Sequence, residues 1–271
     1  MIRRDITFDD GTAGWLLISQ VEHARISGAL TQAWHEPFSA EAIEGITHHD
    51  DGWVKWESTP QLDAQRGRPY SFTELPIDTV LAIWDGSIAA ARRIGPLAGA
   101  IVAGHFIGLA SGSDQAVQPC AEEWLHATAH ERGEWLDEWQ GSNPSHTRES
   151  ANRAQQMLLT ADLLSLWLCL DGPIAGDDAA VVPNAEMESR TSTILGKYRF
   201  TTQAMSVDEA GIDWRGSLAP WPFAAQELDL EAPALAVPAA KYDSGAEIAV
   251  AGRPRRLRWQ LRETLSTASE C

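Results

Sequence analysis

Cysteine is scarce in this chain. The three present, Cys120, Cys169 and Cys271, are widely spaced and form no CxxC pair. An odd, scattered set argues against a disulfide framework and against a thiolate zinc site, and it fits a reducing cytoplasm. Positive charge is scarce as well: Lys plus Arg total 21 against 38 Asp plus Glu, a net charge of −17. A field of that sign repels phosphate backbones and anionic lipid, so neither nucleic acid nor membrane is expected as a partner. A small anionic substrate is still allowed, because a local metal or cation cluster outweighs a distant field. Long apolar runs are missing. The longest, Leu97 to Ala110 and Leu158 to Leu170, each hold an ionisable residue and fall short of the roughly 20 residues that span a bilayer. The opening MIRRDITFDDG has charges but no apolar core, so no signal peptide is expected and the cytoplasm is the expected compartment.

What is present is ordinary for a globular protein: 44% apolar and 22% charged residues in 271. A chain of that size buries roughly three quarters of its extended surface and needs no staple to hold it. Apolar residues recur at helical spacing from Trp15 to Trp34, and Ser39 can cap a second helix that runs toward His48 and stops at Gly52. The polar, irregular stretch from Trp53 to Pro76 reads as a long loop. Further helices are expected from Pro76 to Gly95, Leu97 to Ala110, Pro119 to Trp139 and Arg148 to Leu170, the last closed by Gly172-Pro173. Beyond Pro173, Leu257, Trp259 and Leu261 alternate with Arg256, Arg258 and Gln260, and Pro220, Pro222, Pro233 and Pro238 point to short or edge strands. These patterns predict a mainly α protein: a helical body over 1–173 with a small β-rich extension, 174–271, packed on it.

Several of the helices place ionisable groups where the pattern demands apolar ones. His23 shares a face with Leu16, Gln20, Ile26, Ser27 and Leu30, since residues three, four and seven apart line up. His49 and Asp50 end the second helix, His105 lies inside LAGAIVAGHFIGLA, and Asp162 sits among five leucines. A bare buried carboxylate costs several kcal/mol, so it must be paired, protonated or bound to a metal. Two imidazoles and two carboxylates, with His105 as a third imidazole, form a mixed nitrogen and oxygen set. Such a set suits a divalent transition metal such as Mn, Fe, Co, Ni or Zn, as one or two ions.

The order His23, then His49-Asp50, then a distant helical Asp162 resembles the H…HD…D signature of the HD-domain superfamily, whose members are all-helical and mostly metal-dependent phosphohydrolases. That resemblance covers residues 15 to 171 and implies an HD-like helical bundle in which His23, His49, Asp50 and Asp162 hold one metal. The strings QVEHARISGAL, ITHHDDGWVKW and ADLLSLWLCLDGP, together with APWPF, resemble an uncharacterised bacterial family of about this length. Some HD relatives bind two metals with two further histidines. Here His105 stands in a plausible place, and His126 or His130 is a candidate for the other.

Around these ligands, His48 and Asp51 flank the doublet as candidate proton carriers. Lys55, Arg66 and Arg68 could neutralise a phosphate or carboxylate. Trp53 could wall a substrate cleft, one of 12 Trp beside only 6 Phe and 3 Tyr. The expected function is hydrolysis of a small, phosphorylated molecule through metal-activated water. The alternatives are a diiron oxygenase of the kind found among HD enzymes and a non-catalytic protein that binds a metal or ligand.

Overall fold

The first and last described strands belong to one sheet. The structure is a computed structural model that describes residues 1–8, 10–112, 119–170, 178–180, 198–207 and 211–263. It opens with a hairpin, β1 (Ile2–Thr7) and β2 (Ala13–Ile18), followed by α1 (Gln20–Ala33), α2 (Ala40–Thr47) and the single turn α3 (Trp53–Trp56). The small ladder of β3 (Leu62–Asp63) and β4 (Arg68–Pro69) leads to α4 (Ile77–Ile94), α5 (Pro96–Ser111), α6 (Pro119–Ser142) and α7 (Arg148–Leu170). The chain continues through β5 (Asp178–Ala180), β6 (Arg199–Val207), β7 (Gly211–Ala219), β8 (Glu227–Pro238), α8 (Gly245–Ala251) and β9 (Arg253–Glu263). The expected helix stop at Gly172-Pro173, the boundary between residues 173 and 174, and Cys271 all lie outside the described residues.

The large sheet has seven strands in the order β1-β2-β8-β9-β7-β6-β5. The β7 and β9 strands are parallel and the other neighbours antiparallel, with Trp15 opposite Val237 and Trp214 opposite Trp259. This overturns the expected mainly α, HD-like helical bundle with a small C-terminal β extension. The sheet is a full layer, and it starts at the N-terminus. The physical reason lies in Trp15 to Ile18, an apolar run too short for periodicity to tell strand from helix. That run lies in step with Gln20 and His23, so it extended the helical pattern. The real break is Ser19, whose hydroxyl accepts the Glu22 N–H and caps α1. The stretch after Trp53 is likewise not one long loop, since α3, β3, β4 and a 3-10 turn at Phe72–Glu74 occupy it.

Helices and sheet share one apolar core. Leu16, Ile26, Leu30, Ile46, Ile101, Phe106, Leu158 and Leu164 join Trp214, Leu257, Trp259 and Leu261 in it. The opposite face of β9 is polar and cross-paired, with Arg258 to Asp229 at 3.3 Å and Arg262 to Glu227 at 3.2 Å. Pro233 fits inside the long β8 because β2 pairs with β8 only from Leu235 onward, which leaves that part of β8 with β9 alone among the described strands.

Two contacts set the spacing of the helices that carry the site. A Cβ on Gly45 of α2 would lie 2.9 Å from the Ala98 Cβ of α5, so only glycine allows this approach. The Glu41 carboxylate of α2 accepts the Leu97 N–H at 2.6 Å and the Ala98 N–H at 3.3 Å, which satisfies the first turn of α5.

Candidate metal centre

Three separate stretches of chain bring their ionisable groups together. Gln20, His23 and Ser27 lie on one buried face of α1, three and four residues apart. The turn after α2 carries His49 and Asp50 inward, while His48 and Asp51 remain part-exposed. Gly52 anchors that turn by donating its N–H to the Ser87 hydroxyl of α4 at 3.0 Å. A side chain at Gly52 would collide with the α4 backbone at the Ile83 carbonyl. Asp162 comes from the middle of α7, 4% exposed between Ala161 and Leu163.

The distances are those of a compact cluster. His23 Nε2 lies 2.8 Å from Asp50 Oδ2 and 3.8 Å from Asp162 Oδ1. His49 Nε2 lies 3.3 Å from Asp162 Oδ1 and 3.8 Å from Asp50 Oδ2. The two rings meet edge to face with centroids 5.2 Å apart. Donor atoms of His23, His49 and Asp162 all fall within 4.8 Å of one another, and this buried group can hold a metal ion.

The charge of the cluster suits a cation. Two buried carboxylates with neutral imidazoles would carry two uncompensated negative charges. His49 donates its Nδ1–H to the Ile46 carbonyl at 2.7 Å, which leaves Nε2 to face the carboxylates. That is the arrangement in which metal-binding histidines are held. With no cation present, the imidazole of His49 takes the role. Burial opposes its charge, but Asp50 and Asp162 outweigh burial and push its pKa up to about 9. Burial likewise acts to raise Asp162, yet His105, His49 and His23 bring its carboxyl down to about 2. Asp50 is lowered against burial by His49 and His23.

His105 of α5 sits beside this group, its ring centroid 5.4 Å from that of His49. Burial pushes its imidazole down to about 4, so it is neutral, and its Nδ1 is buried without a hydrogen-bond partner. The group whose donor atoms converge, His23, His49 and Asp162, does not include His105. His126 and His130 do not join it. Both are exposed on α6, with His130 3.8 Å from Glu134.

The remaining sequence candidates are placed as follows. His48 Nδ1 lies 3.0 Å from Asp51 Oδ2, on the same turn as the ligand doublet. Lys55 is exposed on α3. Arg66 is paired with Asp63 at 2.8 Å, and Arg68 shares the Glu74 carboxylate, at 2.6 Å, with Arg3 at 2.9 Å. Trp53 is buried against Leu75 and Ile83 in a small apolar cluster. Arg153 pairs with Glu36 and lies over the Phe38 ring. Sequence reasoning missed Ser165, 2.9 Å from His23 Nδ1, and Glu57, which accepts the Gln20 N–H at the start of α1. The available signal for Ser165 was a hydroxyl three residues after Asp162 in an otherwise leucine-rich run.

Among the described residues no helix is long and apolar enough to cross a membrane. A family model described as "Protein of unknown function (DUF3891)" matches residues 5–239. No curated protein and no solved structure matches the chain.

Proposed function

The chain belongs to the DUF3891 family, and we propose that it is a metal-dependent hydrolase acting on a small, phosphorylated molecule. The observation that carries this reading is the buried convergence of His23 and His49 Nε2 on the carboxylates of Asp50 and Asp162. These four side chains would hold the ion. A bound divalent ion of the Mn, Fe, Co, Ni or Zn class supplies an acidified water and polarises a phosphoryl oxygen. The phosphoryl substrate is supported by the ligand order, which resembles the H…HD…D signature of the HD-domain superfamily. A small substrate is favoured over a polymer by the net charge of −17.

His48 and Asp51 are the proton carriers in this reading. With Asp51 Oδ2 accepting the Nδ1–H at 3.0 Å, His48 Nε2 is free to take a proton from a nucleophile or return it to a leaving group. The pair is part-exposed and adjacent in sequence to the buried ligands, where a substrate arriving from solvent would meet it. His105 favours a variant with a second ion. The diiron oxygenase reading needs one further imidazole, and the exposure of His126 and His130 weakens it.

The test is a screen of small phosphomonoesters and phosphodiesters with protein reconstituted in Mn, Co, Ni or Zn. Hydrolysis that a chelator removes and that Asp50→Asn abolishes supports the proposal. Stoichiometric metal uptake without turnover of any phosphorylated substrate contradicts it and leaves a binding protein.

A further inference from the structure

Two hydroxyls lie behind the metal ligands and have no part in the chemistry above. Ser27 of α1 and Ser165 of α7 are both fully buried. The Ser165 Oγ is 2.9 Å from His23 Nδ1, 2.8 Å from Ser27 Oγ and 2.9 Å from the Asp162 carbonyl oxygen. Ser27 Oγ is also 3.2 Å from the His23 carbonyl oxygen. One hydroxyl therefore touches the ring of one ligand and the backbone of another, across two helices.

Proton counting decides what this arrangement does. A carbonyl only accepts, and each serine has a single hydrogen and two lone pairs. In the arrangement that satisfies the Asp162 carbonyl, Ser165 gives its hydrogen to that oxygen and Ser27 gives its own to Ser165, leaving the longer Ser27 contact to the His23 carbonyl unmade. Ser165 then has one lone pair left, and only an Nδ1–H of His23 can use it. In a neutral ring so bonded, His23 Nε2 is bare, 2.8 Å from one carboxylate oxygen and 3.8 Å from another. A lone pair facing carboxylates at that range is repulsive unless a cation draws both, so this arrangement belongs to the metal-bound state.

The contrast with His49 sharpens the point. A backbone carbonyl fixes that ring's Nδ1 as a donor in every state. A hydroxyl can turn round. Without metal, Ser165 can donate to a bare Nδ1 while His23 gives an Nε2–H to Asp50, and with metal it accepts from Nδ1–H instead. We infer that Ser165 is the positioning residue of the centre: it takes the Nδ1–H of His23 so that Nε2 faces the cation, and it ties that ring to the backbone of Asp162. This rests on the metal reading of the site, not on the identity of the substrate.

Zn(II) affinity by chelator competition, with imidazole nitrogen NMR of Zn-loaded protein, tests it. Ser165→Ala is expected to bind Zn(II) about 10- to 100-fold more weakly, the usual effect of removing a ligand's outer partner. Ser165→Thr, which keeps the hydroxyl, is expected to recover most of that loss, and Ser27→Ala to lose less. In the unaltered protein, NMR is expected to show His23 protonated at Nδ1 and zinc-bound through Nε2, a reading that stands even if Ser165→Ala does not fold. Equal affinity in Ser165→Ala, or zinc on His23 Nδ1, overturns the inference while leaving the metal centre intact. Failure of the unaltered protein to take up Zn(II) overturns both.

Discussion

A carboxylate buried as deeply as Asp162 needs a cation, and the cluster offers either imidazolium or metal. The choice is visible in the pH dependence of stability. In metal-free protein His49 is raised from 6.5 to about 9, so its contribution is complete below pH 6.5 and is lost as pH climbs through about 9. Asp162 is depressed from 3.8 to about 2, so its contribution is complete above pH 3.8 and is lost as pH falls through about 2. Chelated protein is therefore expected to melt highest near pH 6.5 and lower toward pH 9 as His49 loses its proton. It is also expected to melt lower toward pH 4 as the unfolded chain protonates His105, whose folded imidazole is held down to about 4. His49→Gln should flatten that alkaline limb in a pH series of thermal melts, and an equally steep limb in the variant contradicts the assignment. Metal affinity should run the other way and rise with pH, because the ligands must shed protons. His105 gives a second residue-scale expectation. Its buried, unpartnered Nδ1 is a cost to the metal-free fold, so His105→Leu should stabilise chelated protein by on the order of 1 kcal/mol in urea titration. Destabilisation would mean that the nitrogen has a partner. These residues were legible in the sequence because an ionisable group on an apolar helix face stands out. Ser165 and Glu57 were not, because serine and glutamate are unremarkable on any helix or loop until the fold shows what they touch.

The helices position the ligands only as well as they position one another. Glu41 carries two N–H bonds at the start of α5, so Glu41→Ala should cost about 1 kcal/mol, as loss of a helix cap does. Gly45→Ala forces α2 and α5 apart at Ala98 and should cost about 1–3 kcal/mol. Because α2 leads into His49 and Asp50 and α5 carries His105, Gly45→Ala should also weaken metal binding. Unchanged stability and affinity by denaturant titration and metal competition would show that the interface relaxes freely. Helices α4 to α7 were readable from their proline and glycine boundaries and their apolar faces. Strands β1 and β2 were not, because Ile2 to Thr7 is short and charged, and Trp15 to Ile18 continues the phase of the following helix. What those residues become depends on β8, more than two hundred positions away, and no local pattern encodes that pairing.

For the whole molecule, the sheet joins the β1–β2 hairpin to strands that follow the helices bearing the site. The hairpin of β1 and β2 covers the edge of β8, and Ile2, Leu16 and Ile18 enter the common core. Removal of residues 1–18 should therefore leave an aggregating or loosely packed chain, read by size exclusion and near-ultraviolet circular dichroism, and a folded monomer after that deletion would contradict a shared core. The net charge of −17 surrounds a group whose side chains are nearly inaccessible to solvent, which suits a cation drawn inward. The central claim is that four side chains from α1, the turn after α2, and α7 bind one ion. Anomalous diffraction at the metal edge, from crystals grown with Mn(II) or Zn(II), tests it most directly. The expected result is a peak about 2.0–2.2 Å from His23 Nε2, His49 Nε2 and carboxylate oxygens of Asp50 and Asp162. A peak elsewhere, or none between those residues at saturating metal, would contradict it.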